Sequence, residues 1–167
     1  MTVGTRPSEL AVEQLYAAAY ARLVGVTTLA AGSRAEAEDV VQEAFLRLLH
    51  RWDKVAAYDD PEAWVRAVAF RLLSNRARKV RNGLRAVARL PDPPQEPSPD
   101  PDGVDLRRAL DALGLQQRQV VVLHYLIGLS VEQVATALGV PAGTVKSRLS
   151  RSRDALAPLL KEDISHA

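Results

Sequence analysis

The stretch Ser130–Arg153, SVEQVATALGVPAGTVKSRLSRSR, decides the fold of the last third of the chain. Ser130 with Gln133 three residues later is a capping box, which marks the start of a helix. The apolar residues that follow share one helical face, namely Val131, Val134, Ala135 and Leu138. Gly139 then suits a helix end, and Pro141 suits the first turn of the next helix. The stretch therefore predicts a helix-turn-helix.

The second helix of this pair combines a narrow apolar side with a basic outer face. Val145 and Leu149 form an i, i+4 apolar pair, and Ala135 is small where the two helices cross. The outer positions hold hydroxyls and cations, with no acid before Asp154: Thr144, Lys146, Ser147, Arg148, Ser150, Arg151 and Arg153. Such a helix fits a DNA major groove, and Gly143 adds no side chain to the width of its first turn. The alternative is a structural helical hairpin whose cations form a solvated face.

The N-terminal half predicts two amphipathic helices. The first covers Leu10–Leu29 and breaks at Ala31–Gly32. Ser33 with Glu36 is a second capping box and opens a helix that we expect over Glu36–Leu49. Its apolar stripe contains Val40, Val41, Ala44, Phe45, Leu48 and Leu49. On periodicity alone, this is a bundle helix with one solvated face.

A third helix is predicted to start at Asp60–Pro61, after a loop between Trp52 and Glu62. From Trp64 to Leu90 the chain has no acid and eight cations, namely Arg66, Arg71, Arg76, Arg78, Lys79, Arg81, Arg85 and Arg89. A basic run of this length is typical of a protein with a polyanionic partner.

Phe70 has two interpretations. Steps of about 100° place it opposite the apolar face of the third helix, between Arg66 and Arg71. That apolar face consists of Val65, Val68, Ala69, Leu72 and Leu73. An aromatic ring among arginines on a solvent face can stack on unpaired bases. The alternative is that Phe70 packs against a neighbouring helix.

The segment Pro91–Gly103 has six prolines, four acids and no cation, so it predicts an extended linker that forms no core. After it we expect a short helix from Asp105 to Leu113 and an apolar helix ending at Gly128, in which His124 is a packed residue. The predicted fold is all-α, with two small helical domains at residues 8–89 and 105–162. The Pro-rich acidic linker at 90–104 joins them.

Composition and the absence of certain motifs exclude several classes of protein. The 167 residues include no cysteine, which excludes disulfides and cysteine zinc sites, and the net charge of +2 is uninformative. The apolar run Val120–Leu123 is far too short to span a bilayer, and no signal peptide is evident. Neither a phosphate-binding Gly-rich loop nor a nucleophile elbow occurs. We therefore expect a cytoplasmic protein with no catalytic residue, metal or cofactor.

Three motifs in order resemble the extracytoplasmic-function (ECF) sigma factors, the compact promoter-specificity subunits of bacterial RNA polymerase. They are DVVQEAF at 39–45, PEAWVRAVAF at 61–70 and YLIGLSVEQVATALGVPAGTVKSRLSRSR at 125–153. The resemblance covers residues 10–160 or so. It implies promoter DNA and core RNA polymerase as partners, the latter through its β′ clamp helices and β flap. An anti-sigma protein is a further candidate partner.

The resemblance also implies roles for particular residues. Polymerase binding falls on Asp39, Gln42 and Glu43. The loop Asp53–Glu62 would capture a flipped base of the −10 element. Binding to −10 DNA falls on Arg66, Phe70, Arg71, Arg78, Lys79 and Arg81. The residues that the resemblance assigns to recognition of the −35 element are Pro141, Gly143, Thr144, Lys146, Ser147, Arg148, Ser150 and Arg151.

One departure and two alternatives accompany this interpretation. Arg71 stands where the family often has Asn, so the usual strand-separating contact does not carry over directly. The first alternative is a helix-turn-helix regulator of the response-regulator output type, although the receiver domain of that class has no counterpart here. The second is an interaction module that only sequesters polymerase.

Overall fold

A computed structural model describes the backbone of residues 6–83 and 101–165, and the side chains of residues 6–83 and 106–159. Its regular elements are all helices, which confirms the predicted fold class. They are α1 (Pro7–Ala31), α2 (Arg34–Val55), α3 (Pro61–Arg81), α4 (Pro101–Asp111), α5 (Leu115–Val121), a π-helical turn (Val122–Leu126) that continues α5, α6 (Val131–Leu138) and α7 (Ala142–Ser165).

Capping side chains start the N-terminal helices where the sequence places them. Ser33 Oγ accepts a hydrogen bond from the Glu36 amide at 3.2 Å, and Asp60 Oδ1 accepts one from the Ala63 amide at 3.1 Å. Gly32 ends α1 with a φ of 74°, a left-handed conformation that glycine adopts at little steric cost. The predicted break between the first two helices is therefore confirmed.

The loop between α2 and α3 is shorter than predicted. Residues Trp52–Val55, which we expected in the loop, form the last turn of α2. Val55 is buried and Trp52 packs against the core, and these contacts stabilise an additional turn at the end of α2. The connection is therefore limited to Ala56–Asp60.

The first C-terminal helix begins earlier than predicted. α4 starts at Pro101 instead of at Asp105, so residues 101–104 of the expected linker are helical. A proline suits the first turn because it has no N–H to leave unpaired. The rest of the predicted linker, together with Arg85 and Arg89 at the end of the basic run, lies outside the described residues.

The helix-turn-helix forms as predicted. Ser130 Oγ accepts from the Gln133 amide at 3.1 Å, and the Ser130 amide donates to Gln133 Oε1 at 2.8 Å. Gly139 ends α6 with a φ of 67°. Pro141 lies just before α7 rather than in its first turn, and its carbonyl accepts from the amides of Thr144 and Val145.

Buried side chains of both domains form one continuous core. Helices α1, α2 and α3 pack together, α5 and α6 pack on α7, and α3 contacts both α5 and α6. The predicted inner residues Val145 and Leu149 are buried. Leu49 was wrongly predicted in the apolar stripe of α2, since it is 42% exposed.

Candidate nucleic-acid interface

The outer face of α7 is open to solvent. Helix α7 packs its inner side on α5 and α6, which turns the predicted −35 residues outward. Most of these residues are exposed, namely Pro141, Gly143, Lys146, Ser147, Ser150 and Arg151, while Thr144 and Arg148 are half-buried. Within the described part of the chain, Lys146 and Arg151 have no hydrogen bond or ion pair. Their charges are therefore available to a ligand.

Arg148 differs from the other cations of α7. It is half-buried and lines a cleft between α7 and α3, where Arg81 also lies. Burial lowers the pKa of Arg148, and the positive charge of Arg81 lowers it further. Arg148 therefore lines the same cleft as residues of the predicted −10 set, although it was assigned to the −35 set.

The C-terminal end of α3 carries the accessible part of the predicted −10 set. Arg78, Lys79 and Arg81 are exposed in the last turns of the helix. Arg78 Nη2 donates to Asn75 Oδ1 at 3.0 Å, and Arg66 is half-buried one turn before Phe70. Three cations of the set are therefore presented together.

Phe70 is not on a solvent face. Its exposed fraction is 0%, so the interpretation that the ring is presented to bases is wrong for this arrangement, and packing against another helix is correct. The face of α3 opposite its own domain's core is covered by α5 and α6. Helical periodicity assigns a residue to a face, but it carries no information about a second domain packed there.

Arg71 also contacts the C-terminal domain. Its Nε donates to the carbonyl of Ala137 at 2.8 Å, and its Nη2 donates to the carbonyl of Thr136 at 2.6 Å. These carbonyls lie in the last turn of α6. In this arrangement the residue that departs from the family pattern hydrogen-bonds to the backbone of α6.

The predicted polymerase-binding residues lie together on α2, and all three have partners. Glu43 is bound by Arg47 at 2.8 Å and by Arg76 at 3.3 Å, while Asp39 lies 4.0 Å from Arg76. Gln42 Nε2 donates to a tyrosine hydroxyl of α1 at 3.3 Å. Because Arg47 and Arg76 balance the charges of these two carboxylates, this part of the surface is nearly neutral.

Two apolar residues beside them were not predicted to be surface residues. Leu46 is 59% exposed and Leu49 is 42% exposed. Together with Tyr16, Gln42 and Phe45 they line an open groove of about 880 Å³ between α1 and α2. The sequence did contain a signal for this apolar surface, because Leu46 is a large apolar residue outside the predicted stripe.

The described residues hold neither a metal-ligand cluster nor a membrane-spanning helix. No group of three or more His, Asp or Glu side chains among them is placed to hold a metal ion. No helix there is long and apolar enough to cross a membrane. His124 is a packed residue as predicted, with Nδ1 2.7 Å from the carbonyl of Leu129.

Comparison with known families gives two matches in the expected order. Sigma-70 region 2 matches residues 12–83, and sigma-70 region 4 matches residues 103–156. The ECF sigma factor SigL of Mycobacterium tuberculosis is 36% identical over 140 residues, covering 78% of this chain and 78% of SigL. The sigma-E factor of Streptomyces avermitilis is 37% identical over 131 residues, covering 76% of this chain and 70% of that protein.

Another relative is longer. The ECF sigma factor SigE of Mycolicibacterium smegmatis is 34% identical over 146 residues, covering 80% of this chain and 55% of SigE. This chain therefore spans about half the length of that protein.

Solved structures agree with these matches. The sigma factor RpoE of Bartonella quintana, in complex with the anti-sigma factor NepR, superposes with a TM-score of 0.63 at 27% identity, covering 89% of this chain and 96% of RpoE. CnrH, in complex with the cytosolic domain of CnrY, superposes with a TM-score of 0.59 at 23% identity and supports the fold. The sigma-factor function predicted from the sequence is confirmed, and the chain belongs to the ECF sigma factors of the sigma-70 family.

Proposed function

We propose that this chain binds core RNA polymerase, directs it to a promoter through the outer face of α7, and helps to open the DNA with α3. The observation that carries the proposal is the exposed face of α7, where Lys146 and Arg151 have no partner among the described residues. Its side chains are of the kinds that pair with base edges and phosphates. The chain itself catalyses nothing, and the core enzyme performs the chemistry.

The −35 contact would use the exposed residues of α7 and its N-terminal turn. Lys146 and Arg151 are long enough to reach guanine edges or phosphates, while Ser147 and Ser150 offer hydroxyls. Ser147 Oγ donates to the carbonyl of Gly143 at 3.0 Å, so an acceptor lone pair stays free for DNA. Apart from Pro141, which lies just before α7, the exposed residues of this face belong to one helix.

The −10 contact would start from the basic end of α3. Arg78, Lys79 and Arg81 are exposed there and can neutralise phosphates along a separated strand. In the described arrangement Phe70 is buried, so its ring cannot contribute while the domains are packed together, and the exposed Arg71 has its guanidinium bonded to two carbonyls of α6.

Polymerase docking would use the face of α2 that carries Gln42, with apolar rather than ionic contacts at its centre. Leu46 and Leu49 are exposed beside it, whereas Asp39 and Glu43 are already near Arg76 and frame the surface. Exposed apolar residues at the centre of an interface contribute more binding energy than charges at its rim. We assign the docking contact to the β′ clamp helices, and a contact of the C-terminal domain to the β flap.

A further partner and a location follow from the family. RpoE of Bartonella quintana was solved in complex with an anti-sigma factor. We extend this to the present chain and propose that an anti-sigma protein holds it inactive in the cytoplasm, near the nucleoid.

Run-off transcription with purified core enzyme on genomic fragments tests the proposal. We expect start sites whose upstream regions share −35 and −10 elements. Leu46→Glu should reduce co-purification with core enzyme by roughly thirtyfold, as loss of a buried anchor worth about 2 kcal/mol does. Leu10→Glu is the matched control, because Leu10 is similarly exposed, at 50%, but does not line the groove.

Two results would overturn the proposal. The absence of any start site, with folded protein bound to core enzyme, would leave the sequestering interaction module as the function. Equal losses for Leu46→Glu and Leu10→Glu would remove the docking assignment and leave the DNA assignments standing.

A further inference from the structure

One side of α3 carries a row of arginines and small polar residues that lines a cleft. The members of this row are spaced at i, i+3, i+4, i+7 and i+10, which places them on one helical stripe: Arg71, Ser74, Asn75, Arg78 and Arg81. From α7, Arg148 lines the same cleft, whose volume is about 370 Å³. Four arginines from two helices that are distant in sequence therefore surround one space.

The charge of this cleft is of one sign. Among the described residues that line it, all except the four arginines are neutral. Like charges repel, and partial burial strengthens the repulsion because less water screens it. The pKa of Arg148 shows both effects, since burial lowers it and the positive charge of Arg81 lowers it further. The electrostatic potential of the cleft therefore favours an anion.

Two of the four arginines have no hydrogen-bond acceptor in the described part of the chain. Arg71 donates to carbonyls of α6, and Arg78 donates to the Asn75 side chain. Arg81 and Arg148 make no hydrogen bond or ion pair with residues 6–83 or 106–159. A guanidinium has five N–H donors, and leaving them unpaired is costly where the group is partly buried, as Arg148 is. An anion in the cleft would accept from both side chains.

Helix α5 adds a neutral donor to the cleft. Gln116 is half-buried and lines the cleft, and its amide has no partner among the side chains that the structure describes. Ser74 is already engaged, because its Oγ lies 3.0 Å from Oε1 of the buried Gln119. The side chains available to a ligand thus come from three helices, namely Arg81 of α3, Gln116 of α5 and Arg148 of α7.

The size and chemistry of the cleft define the class of ligand. Its volume equals that of roughly a dozen water molecules at about 30 Å³ each, which suits a few linked phosphate groups and is too small for a strand of DNA. The planar fork of a guanidinium matches phosphate oxygens in a bidentate geometry. A single carboxylate carries one negative charge, whereas linked phosphates carry several, and four arginines favour the more highly charged anion.

We propose that this cleft is a binding site for a small di- or triphosphate, either free or as the phosphate tail of a nucleotide. Arg81 and Arg148 hold the phosphate oxygens from opposite helices, and Gln116 donates a further hydrogen bond. Arg71 and Arg78 contribute attraction through their charge. The site is distinct from the outer face of α7, because Lys146 and Arg151 do not line the cleft.

A bound phosphate ligand would compete with DNA for part of the predicted −10 surface. Arg71, Arg78 and Arg81 belong to that set and also line the cleft. We expect the ligand to weaken binding of a −10 single strand, while Lys146 and Arg151 stay accessible to a −35 duplex. This consequence, unlike the site itself, rests on the promoter function proposed above.

Calorimetric titration of the full chain with pyrophosphate, in magnesium-free buffer, tests the site. Arg148→Met removes the guanidinium and keeps an apolar stem of similar length. We expect one saturable site in the wild type and about tenfold weaker binding in Arg148→Met, as loss of hydrogen bonds to a charged group produces. Arg151→Met is the matched control, because it removes the same charge from the same helix outside the cleft.

Thermal unfolding gives a second readout that separates binding from packing. Without ligand, Arg148→Met should unfold at or above the wild-type temperature, because the repulsion with Arg81 is relieved. Pyrophosphate should raise the unfolding temperature of the wild type and of Arg151→Met, and it should raise that of Arg148→Met much less. A purely structural role of Arg148 would instead lower the unfolding temperature and leave the effect of pyrophosphate unchanged.

Titration with ADP distinguishes the two sources of the phosphate. Tighter binding of ADP than of pyrophosphate would identify the phosphate tail of a nucleotide as the ligand. Weaker binding of ADP would identify a free oligophosphate, and equal binding would show that the linked phosphates alone are recognised. Each of these results supports the site, provided that Arg148→Met weakens the binding.

Three results would overturn the site. They are the absence of saturable binding of pyrophosphate and ADP in the millimolar range, equal losses in Arg148→Met and Arg151→Met, and an unchanged affinity in folded Arg148→Met. If Arg148→Met does not fold, Arg81→Met takes its place with Lys79→Met as its control, since Lys79 does not line the cleft. Wild-type pyrophosphate affinity in Arg81→Met would then refute the proposal.

Failure of the site is separable from failure of the promoter function. Wild-type protein that initiates transcription but does not bind pyrophosphate or ADP would refute only the site. Pyrophosphate binding by a protein that binds neither core enzyme nor promoter DNA would refute the promoter function and leave the site standing. Binding of a −10 single strand that saturating pyrophosphate does not weaken would refute the competition alone.

Discussion

Helices α3 and α7 have similar basic sequences, but the structure gives them different access to solvent. On α7 the cations Lys146 and Arg151 are exposed without partners in the described chain. On α3 the middle of the corresponding face is covered by the other domain, where Phe70 is fully buried and Arg71 binds two carbonyls. A basic helix thus indicates a polyanionic partner without indicating whether that partner has access.

The difference arises from what each helix must bury. Helix α7 satisfies its apolar side within one domain, through Val145 and Leu149. Helix α3 has apolar groups on two faces, because Phe70 lies opposite the face that contains Val65 and Ala69. One face packs in its own domain, and the second needs another surface. The C-terminal domain supplies that surface in the described structure.

Of the substitutions that test this comparison, Phe70→Ala is expected to have the largest effect, and that effect is on stability. Phe70→Ala should lower the free energy of unfolding by about 3–5 kcal/mol, because it leaves a cavity at a fully buried position. Chemical denaturation followed by circular dichroism measures the change. Tyr58→Ala is the control, since Tyr58 is 52% exposed and its loss should stay within about 0.5 kcal/mol. Similar losses for the two variants would show that the ring is free in solution, as the base-stacking interpretation requires.

Replacement of the cations on α7 should affect binding without affecting stability. Lys146→Ala and Arg151→Ala, tested singly, should each weaken −35 binding by about 1–3 kcal/mol and relax specificity if the side chain contacts a base edge. A phosphate contact would instead lower affinity evenly across sequences and reduce the salt slope by about 1. Fluorescence anisotropy on matched and mismatched duplexes at several salt concentrations distinguishes the two.

Lys54→Ala controls for loss of net charge in that experiment, because Lys54 is an exposed lysine of α2, far in sequence from the recognition helix. Wild-type affinity in both α7 variants would contradict the assignment of this face to DNA.

The smallest effect is expected at the exposed end of α3. Lys79→Ala should reduce affinity for a −10 single strand evenly, and it should lower the salt slope by about 0.7, the value for one phosphate contact on a single strand. Titrations between about 50 and 200 mM salt, in the range where such contacts are sensitive, measure the slope. Binding to the −35 duplex serves as the internal reference. An unchanged slope on the single strand would place the strand's path away from this end of the helix.

The site was only partly predictable from sequence, and Arg71 shows why. The basic run on α3 and the outward cations of α7 follow from residue type and helical spacing, which are local. The carbonyls that Arg71 binds lie 65 and 66 residues further along the chain. The exposure of Leu49 was not predictable in this way, because periodicity places a residue on the apolar face but does not show how much of that face the neighbouring helix covers.

The sequence by itself determined that the chain is helical, where several helices are capped, and where the helix-turn-helix lies. Ser33, Asp60, Ser130 and Gly139 act within one turn of their own position, so their effect is readable without a fold. Only the tertiary structure decided which basic surface is open. That choice depends on contacts between domains, such as those of Arg118 and Gln119, whose partners are distant in sequence and leave no periodic signal.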